Sequence, residues 1–259
     1  MSDTQYKSIK AIGVAEEQNQ RFRLSMEDLS IFHDCLCGDE SMGFFAVFDG
    51  HGGVDAAVIA AEKLPKFLTE NINNNFHLAI KAAISETDHY LAEKEVNFCG
   101  CTYVGVIIAR NHGKNGKLYF SNVGDSRSVL SINGEAVRCS LDHTPNEPSE
   151  FERLSSSEAG IIDGRVDGVL SVSRALGDHL FKKHVISTPF QSEYDITDQT
   201  EFIILACDGV WDVVTDQKAV DLVREYALRG EAKEAAEALR NMALESGSTD
   251  NISCMLICL

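Results

Sequence analysis

The apolar residues of this 259-residue chain fall into two patterns: short unbroken runs bounded by polar turns, and longer stretches in which they recur every three or four positions. Residues 43–48 hold Phe44-Phe45-Ala46-Val47-Phe48, and residues 201–207 and 252–259 are as densely apolar. Runs this short suit buried strands rather than helices. Residues 29–32, 102–109, 117–123 and 128–132 are further strand candidates. The last of these leads into Asn133-Gly134, a strong hairpin signal before residues 135–139. Helical spacing covers residues 54–71 and 76–95, with Pro65 placed to bend the first. A later helix starts after Thr215, a good N-cap, and another covers residues 231–245 and stops near Gly247. Helices in pairs between hairpins predict an α+β fold, a central β-sandwich of two antiparallel sheets flanked by pairs of α-helices.

Acidic residues sit at the ends of these strands. Asp49-Gly50-His51-Gly52-Gly53 follows the first run, and the glycines are expected to let the chain turn sharply, so that a backbone carbonyl faces the same point as the Asp49 carboxylate. Asp208-Gly209 follows residues 201–207, with Asp212 four positions on. Asp250-Asn251 precedes the last run, Met26-Glu27-Asp28 precedes residues 29–32, and Gly124-Asp125-Ser126-Arg127 follows residues 117–123. Turns favour aspartate, so any one of these alone reads better as a turn residue than as a ligand. Five together point to strand ends converging on a metal. With no His- or Cys-rich cluster, zinc is a poor fit, and no 12-residue EF-hand loop is present. Carboxylate, carbonyl and water ligands favour magnesium or manganese, and several acids around one point suggest two ions about 3.5–4 Å apart.

In their order and spacing these motifs resemble the metal-dependent protein serine/threonine phosphatases of type 2C. The resemblance runs from Arg23-Leu24-Ser25-Met26-Glu27-Asp28 through Asp49–Gly53, Gly100-Cys101-Thr102, Asn122–Arg127, Val172-Ser173-Arg174-Ala175-Leu176-Gly177-Asp178 and Asp208-Gly209-Val210-Trp211-Asp212 to Asp250-Asn251. Cys101 stands where the family has serine, Ala159-Gly160 where many members have two glycines, and Arg21-Phe22-Arg23 departs from the usual approach to the arginine. The resemblance implies hydrolysis of phosphoserine and phosphothreonine monoesters by a metal-activated water at a two-metal centre. Asp49 would bridge the metals. The Gly50 carbonyl and Glu27 would complete one site, directly or through water, and Asp208 and Asp250 would hold the other. Asp28 would act through water, and Asp125 with Asp208 would hold a weaker third ion. Arg23 would bind the substrate phosphate and His51 would protonate the leaving group. The residue types suit those roles: a guanidinium bonds two phosphate oxygens at once, and an imidazole titrates near neutrality. Read without the resemblance, Arg23 is a solvated charge beside Arg21 and His51 a structural or surface histidine.

The resemblance implies residues 21–259 as a single catalytic domain, with residues 1–20 an N-terminal segment supplying an edge strand. The net charge of −17, from 23 basic and 40 acidic residues, disfavours nucleic acid and anionic membrane as partners. The resemblance implies phosphoprotein substrates, and a monomer is expected. No apolar run approaches the roughly 20 residues of a membrane span, the start is polar, and Ser2 rather than glycine follows Met1. Eight cysteines without a Cys-x-x-Cys pair read as reduced thiols of a cytoplasmic or nuclear protein. The sequence leaves two competing readings, a catalytically silent scaffold or binding protein of the same fold and an acidic metal-binding protein without catalysis. Silent relatives lack one or more of the acids, and all are present here.

Overall fold

The structure, a computed structural model, describes residues 6–72, 75–110 and 115–259. Residues 1–5 of the expected N-terminal segment lie outside the described residues. In chain order the strands are β1 (Ala11–Glu17), β2 (Leu29–His33), β3 (Met42–Phe48), β4 (Gly50–His51), β5 (Gly100–Cys101), β6 (Tyr103–Arg110), β7 (Gly116–Val123), β8 (Arg127–Ile132), β9 (Glu135–Arg138), β10 (Ile161–Ile162), β11 (Arg165–Val166), β12 (Leu176–Gly177), β13 (Phe190–Ile196), β14 (Thr200–Ala206) and β15 (Ile252–Cys258). The helices are α1 (Asp55–Asn71), α2 (Phe76–Glu93), α3 (Pro148–Ser156), α4 (Asp208–Trp211), α5 (Asp216–Leu228) and α6 (Ala232–Glu245).

Two five-stranded antiparallel sheets face each other, one in the order β1-β15-β14-β8-β9 and the other β13-β7-β6-β3-β2. Side chains alternate across a strand, so each central strand serves two cores at once. On β3, Phe45 and Val47 point between the sheets and meet Leu130, Ile203, Leu205, Met255 and Ile257 of the opposite sheet. Phe44, Ala46 and Phe48 point the other way, against Ala57, Leu64 and Leu68 of α1 and Ile80 and Ile84 of α2. The far sheet repeats the arrangement, with Phe202, Ile204, Cys254 and Leu256 packed under Val220 and Val223 of α5 and Leu239 of α6. Burial on both faces is why these strands read as unbroken apolar runs and not as alternating patterns.

Local signals acted where they were expected. Asn133 and Gly134 both take positive φ, 50° and 82°, as a tight hairpin between β8 and β9 requires. The Thr215 hydroxyl accepts the Lys218 N–H at the start of α5. Helix α1 continues through the buried Pro65. Strand β1 lies at the edge of its sheet and pairs with β15 along its whole length. All eight cysteines are free, six of them buried. Among the described residues no helix is long and apolar enough to cross a membrane.

Truncation at the centre of the sandwich should be far costlier than at its surface. Phe45→Ala, at a fully buried position, is expected to lower unfolding free energy by about 3–5 kcal/mol in urea titrations. Leu78→Ala, on the exposed face of α2, should change it by no more than about 0.5 kcal/mol.

Candidate metal centre

One end of the sandwich collects the acids. Asp28 precedes β2, Asp49 follows β3 and Asp125 follows β7, so one sheet supplies three of them. Asp208 follows β14 and Asp250 precedes β15, so the other sheet supplies two. Asp49, Asp208 and the Cys207 thiol bring their ligating atoms within 4.8 Å of one another. Asp28, Asp125 and Asp250 stand around this group and act on it through their charge.

The electrostatics are those of crowded anions in a poorly solvated place. Burial raises the Asp49 carboxyl well above its usual value, and the charges of Asp28, Asp208, Asp125 and Asp250 raise it further. Asp208 is raised in the same way by burial, then by Asp125 and Asp250. Asp125 is pushed up to about 7 and Asp28 to about 6, burial being the main cause in both. Asp28 is buried, and neither of its carboxylate oxygens has a hydrogen-bond partner. Unpaired buried carboxylate oxygens are costly unless a proton or a cation meets them. An all-oxygen donor set with this charge fits a hard divalent cation. Cys207 fits such an ion less well. Burial holds its thiol well above the usual range, and its sulfur bonds the backbone, accepting from the Ser253 N–H at 3.2 Å.

The chain turns within Asp49–Gly53 at its last two glycines, after one more short strand. Gly50 and His51 form the short strand β4, which pairs with β5 in a small third sheet of order β12-β5-β4. The reversal comes two residues later, at Gly52 and Gly53 with φ of 71° and 130°. The glycine at position 50 serves a close crossing, because a Cβ there would lie 2.5 Å from the Glu27 carbonyl oxygen. Glu27 is held beside this loop, its Oε2 accepting the Gly53 N–H at 3.1 Å and its Oε1 the Ser25 hydroxyl at 2.7 Å. Arg23 is half exposed and lies at the rim, with its guanidinium on the Asp250 carboxylate and on the Thr249 carbonyl. His51 bonds Asp178 at 2.6 Å.

Several supporting residues were not singled out from the sequence. The Asn251 side chain accepts the Glu27 N–H and donates to the Gln18 and Ser25 carbonyls, tying the first acidic segment to the last. Its adjacency to Asp250 just before a buried run was the available signal. His143, fully buried and held neutral by desolvation with its pKa lowered to about 3, accepts the Gly124 N–H at Nδ1 and braces the loop that carries Asp125. Arg127 bonds Asp142 and Asp216 and stacks on Trp211, with 5.1 Å to the ring centroid, fixing α4 and α5 beside Asp208. Glu150 of α3 is buried and accepts from Arg153, Arg174 and Ser173, anchoring the segment between β9 and β13. Nothing in sequence spacing announces these long-range pairs.

A family model described as protein phosphatase 2C matches residues 12–252. The protein phosphatase 2C homolog 1 of Saccharomyces cerevisiae is 35% identical over 274 residues, covering 98% of this chain and 95% of that protein. The protein of the same name from Schizosaccharomyces pombe is 38% identical, covering 95% and 72%. Among solved structures, a Caenorhabditis elegans (C. elegans) sex determining protein superposes with a TM-score of 0.86 at 24% identity, over 97% of this chain and 65% of that one. A serine-threonine phosphatase 2C from Toxoplasma gondii gives 0.81 at 22% identity, over 95% and 94%. At these identities the superpositions speak for the fold alone.

The Glu150 cluster makes a pH prediction. Although burial opposes it, hydrogen bonds from Arg174, Arg153 and Ser173 lower the carboxyl from its usual 4.5 to about 2. A depressed folded pKa gives stability that is complete above the unfolded value and is lost as pH falls through the folded one. The stability difference between the parent protein and Glu150→Gln is therefore expected to be largest above pH 4.5 and to shrink between about 4.5 and 2 in pH-resolved denaturation curves.

Proposed function

The chain belongs to the protein phosphatase 2C family and is a metal-dependent protein serine/threonine phosphatase, and from that premise we propose which of its residues carry the reaction. Asp49 would be shared between two divalent cations, magnesium or manganese. The Gly50 carbonyl and Glu27 would complete one site, Glu27 directly or through water, and Asp208 and Asp250 would complete the other. Asp28 would act from behind through water, and Asp125 would join Asp208 around a weaker third ion. The observation that carries this reading is the buried carboxylate cluster itself. The Asp28 carboxylate oxygens have no hydrogen-bond partner, Asp49 and Asp208 are crowded by like charge, and Arg23 at the rim bonds Asp250.

The substrates are phosphoproteins. Hydrolysis of a phosphate monoester is among the slowest uncatalysed reactions, so every part of the site must favour the transition state over the ground state. Bound cations supply an activated water and positive charge for the phosphoryl oxygens. Arg23 orients the phosphate. Its guanidinium is partly open to solvent beside Asp250, and its planar fork can take two phosphate oxygens. His51 gives a proton to the serine or threonine oxygen as it leaves phosphorus. The acting form is a monomer of the cytoplasm or nucleus.

Hydrolysis of a phosphothreonine peptide by the purified protein tests the assignment. Turnover should appear with manganese or magnesium and vanish in chelator. Asp49→Ala should lower kcat by at least about 100-fold, a barrier change of about 2.7 kcal/mol, while keeping the fold. Arg23→Ala should raise KM by roughly tenfold, the loss of one charge-assisted pair. Near-normal metal-dependent rates in Asp49→Ala would refute its role as the shared ligand.

A further inference from the structure

The small third sheet builds a side chain into the site that the roles above leave unused. Gly100 on β5 sits between two neighbours, paired with His51 of β4 on one side and with Gly177 of β12 on the other. Beyond Gly177 the chain takes two consecutive left-handed residues, Gly177 at φ 79° and Asp178 at φ 51°. Aspartate is among the few non-glycine residues that enter this region readily, and here neighbouring contacts hold it there. The Gly177 N–H donates to Asp88 Oδ1 of α2 at 2.9 Å, and Lys182 Nζ reaches the same oxygen at 2.9 Å. The Asp178 N–H donates to the Cys99 carbonyl at 3.0 Å.

The product of this turn is one contact. Asp178 Oδ2 lies 2.6 Å from His51 Nε2, with the aspartate side chain 3% exposed and the histidine 29%. The space between them is cleared by the absence of a side chain on Gly100, where a Cβ would fall 2.2 Å from Asp178 Oδ2 and 2.7 Å from His51 Nε2. A carboxylate is an acceptor, so the proton between the two belongs to Nε2 and the ring is fixed about its side-chain torsions.

We propose that Asp178 is a positioning residue for His51, fixing the imidazole so that its other nitrogen, Nδ1, faces the phosphate ester. This rests on the assignment of His51 as proton donor and extends it. As the P–O bond to serine or threonine breaks, the leaving oxygen takes the Nδ1 proton of the doubly protonated ring, which is left neutral with its remaining proton on Nε2 against Asp178. The oxygen of water joins phosphorus, giving a free hydroxyl and inorganic phosphate. Asp178 never touches substrate. Its contribution is to hold the donor in place, and Asp88, Gly100 and Gly177 hold Asp178.

The test uses Asp178→Gly, which removes the acceptor while suiting the left-handed backbone, and Asp178→Asn, whose amide oxygen can accept the same hydrogen bond and which tolerates that backbone. On a phosphothreonine peptide, Asp178→Gly should lower kcat by about tenfold or more with KM within about twofold. On p-nitrophenyl phosphate, whose leaving group needs little protonation, the loss should be at most about threefold. Asp178→Asn should recover most of the peptide activity. Combining Asp178→Gly with His51→Ala should cost no more than His51→Ala alone, because the two act as a unit. Nitrogen NMR of the metal-free protein should show the ring proton on Nε2, and a mixture of tautomers in Asp178→Gly. Equal losses on both substrates, accompanied by a lower Tm, would reduce Asp178 to a structural residue and overturn the proposal, as would independent, multiplying losses in the double variant. If His51→Ala is impaired on the peptide and Asp178→Gly is not, the positioning role alone is wrong. If His51→Ala is unimpaired, the proton-donor assignment is wrong and the proposal goes with it.

Discussion

Mutual repulsion among carboxylates buried at one end of the sandwich is the constraint around which the rest of the molecule is arranged. Asp28, Asp49, Asp125 and Asp208 are each driven towards protonation by burial, and in Asp49 and Asp208 the charges of the others add to that drive. A fold gains nothing from such a cluster by itself. It becomes favourable when cations occupy the space, and the stability then depends on metal concentration by mass action. Function and stability therefore pull in opposite directions at this end of the protein, as they commonly do in catalytic sites.

The acids are brought together by sheet assembly rather than by local sequence. Asp28, Asp49 and Asp125 belong to one sheet and Asp208 and Asp250 to the other, so no single hairpin contains the site. The apolar layer between the sheets, with Phe45 and Val47 against Ile203, Leu205 and Met255, sets their spacing. A second set of polar contacts then fixes the loops. Asn251 joins the Ser25–Glu27 segment to Asp250, Arg127 joins β8 to α5, and the Glu150 cluster anchors the segment that crosses beside the cleft. Each of these uses a charged or amide group with nearly all of its bonding capacity filled, which is what rigid placement of a neighbouring ligand requires.

Much of this was legible in the chain because it depends on local rules. Continuous apolar runs marked β3, β14 and β15, since strands covered on both faces have no polar side to show. Asn133-Gly134 marked its hairpin, and Thr215 the start of α5. The acids could be found because they fall where those runs end. What stayed hidden is non-local. Strand β13 (Phe190–Ile196) carries Gln191, Glu193 and Asp195 at the edge of its sheet and so lacks an apolar signature. The pairing of Gly50-His51 with Gly100-Cys101 needs two residues from each of two distant segments and has no periodicity to read. Asp178 looked like the last letter of a motif, and its contact with His51, 127 positions away, exists only after the third sheet has formed.

The central claim, that the carboxylate cluster is held together by cations and is otherwise a liability, is tested most directly by thermal unfolding of the parent protein and Asp49→Asn, each in chelator and in manganese. The account predicts that in chelator Asp49→Asn melts at a higher temperature than the parent, because one repelling charge is gone. It also predicts that manganese raises the Tm of the parent by several degrees and that of the variant by much less. A variant that melts lower than the parent in chelator and gains as much from manganese would contradict it.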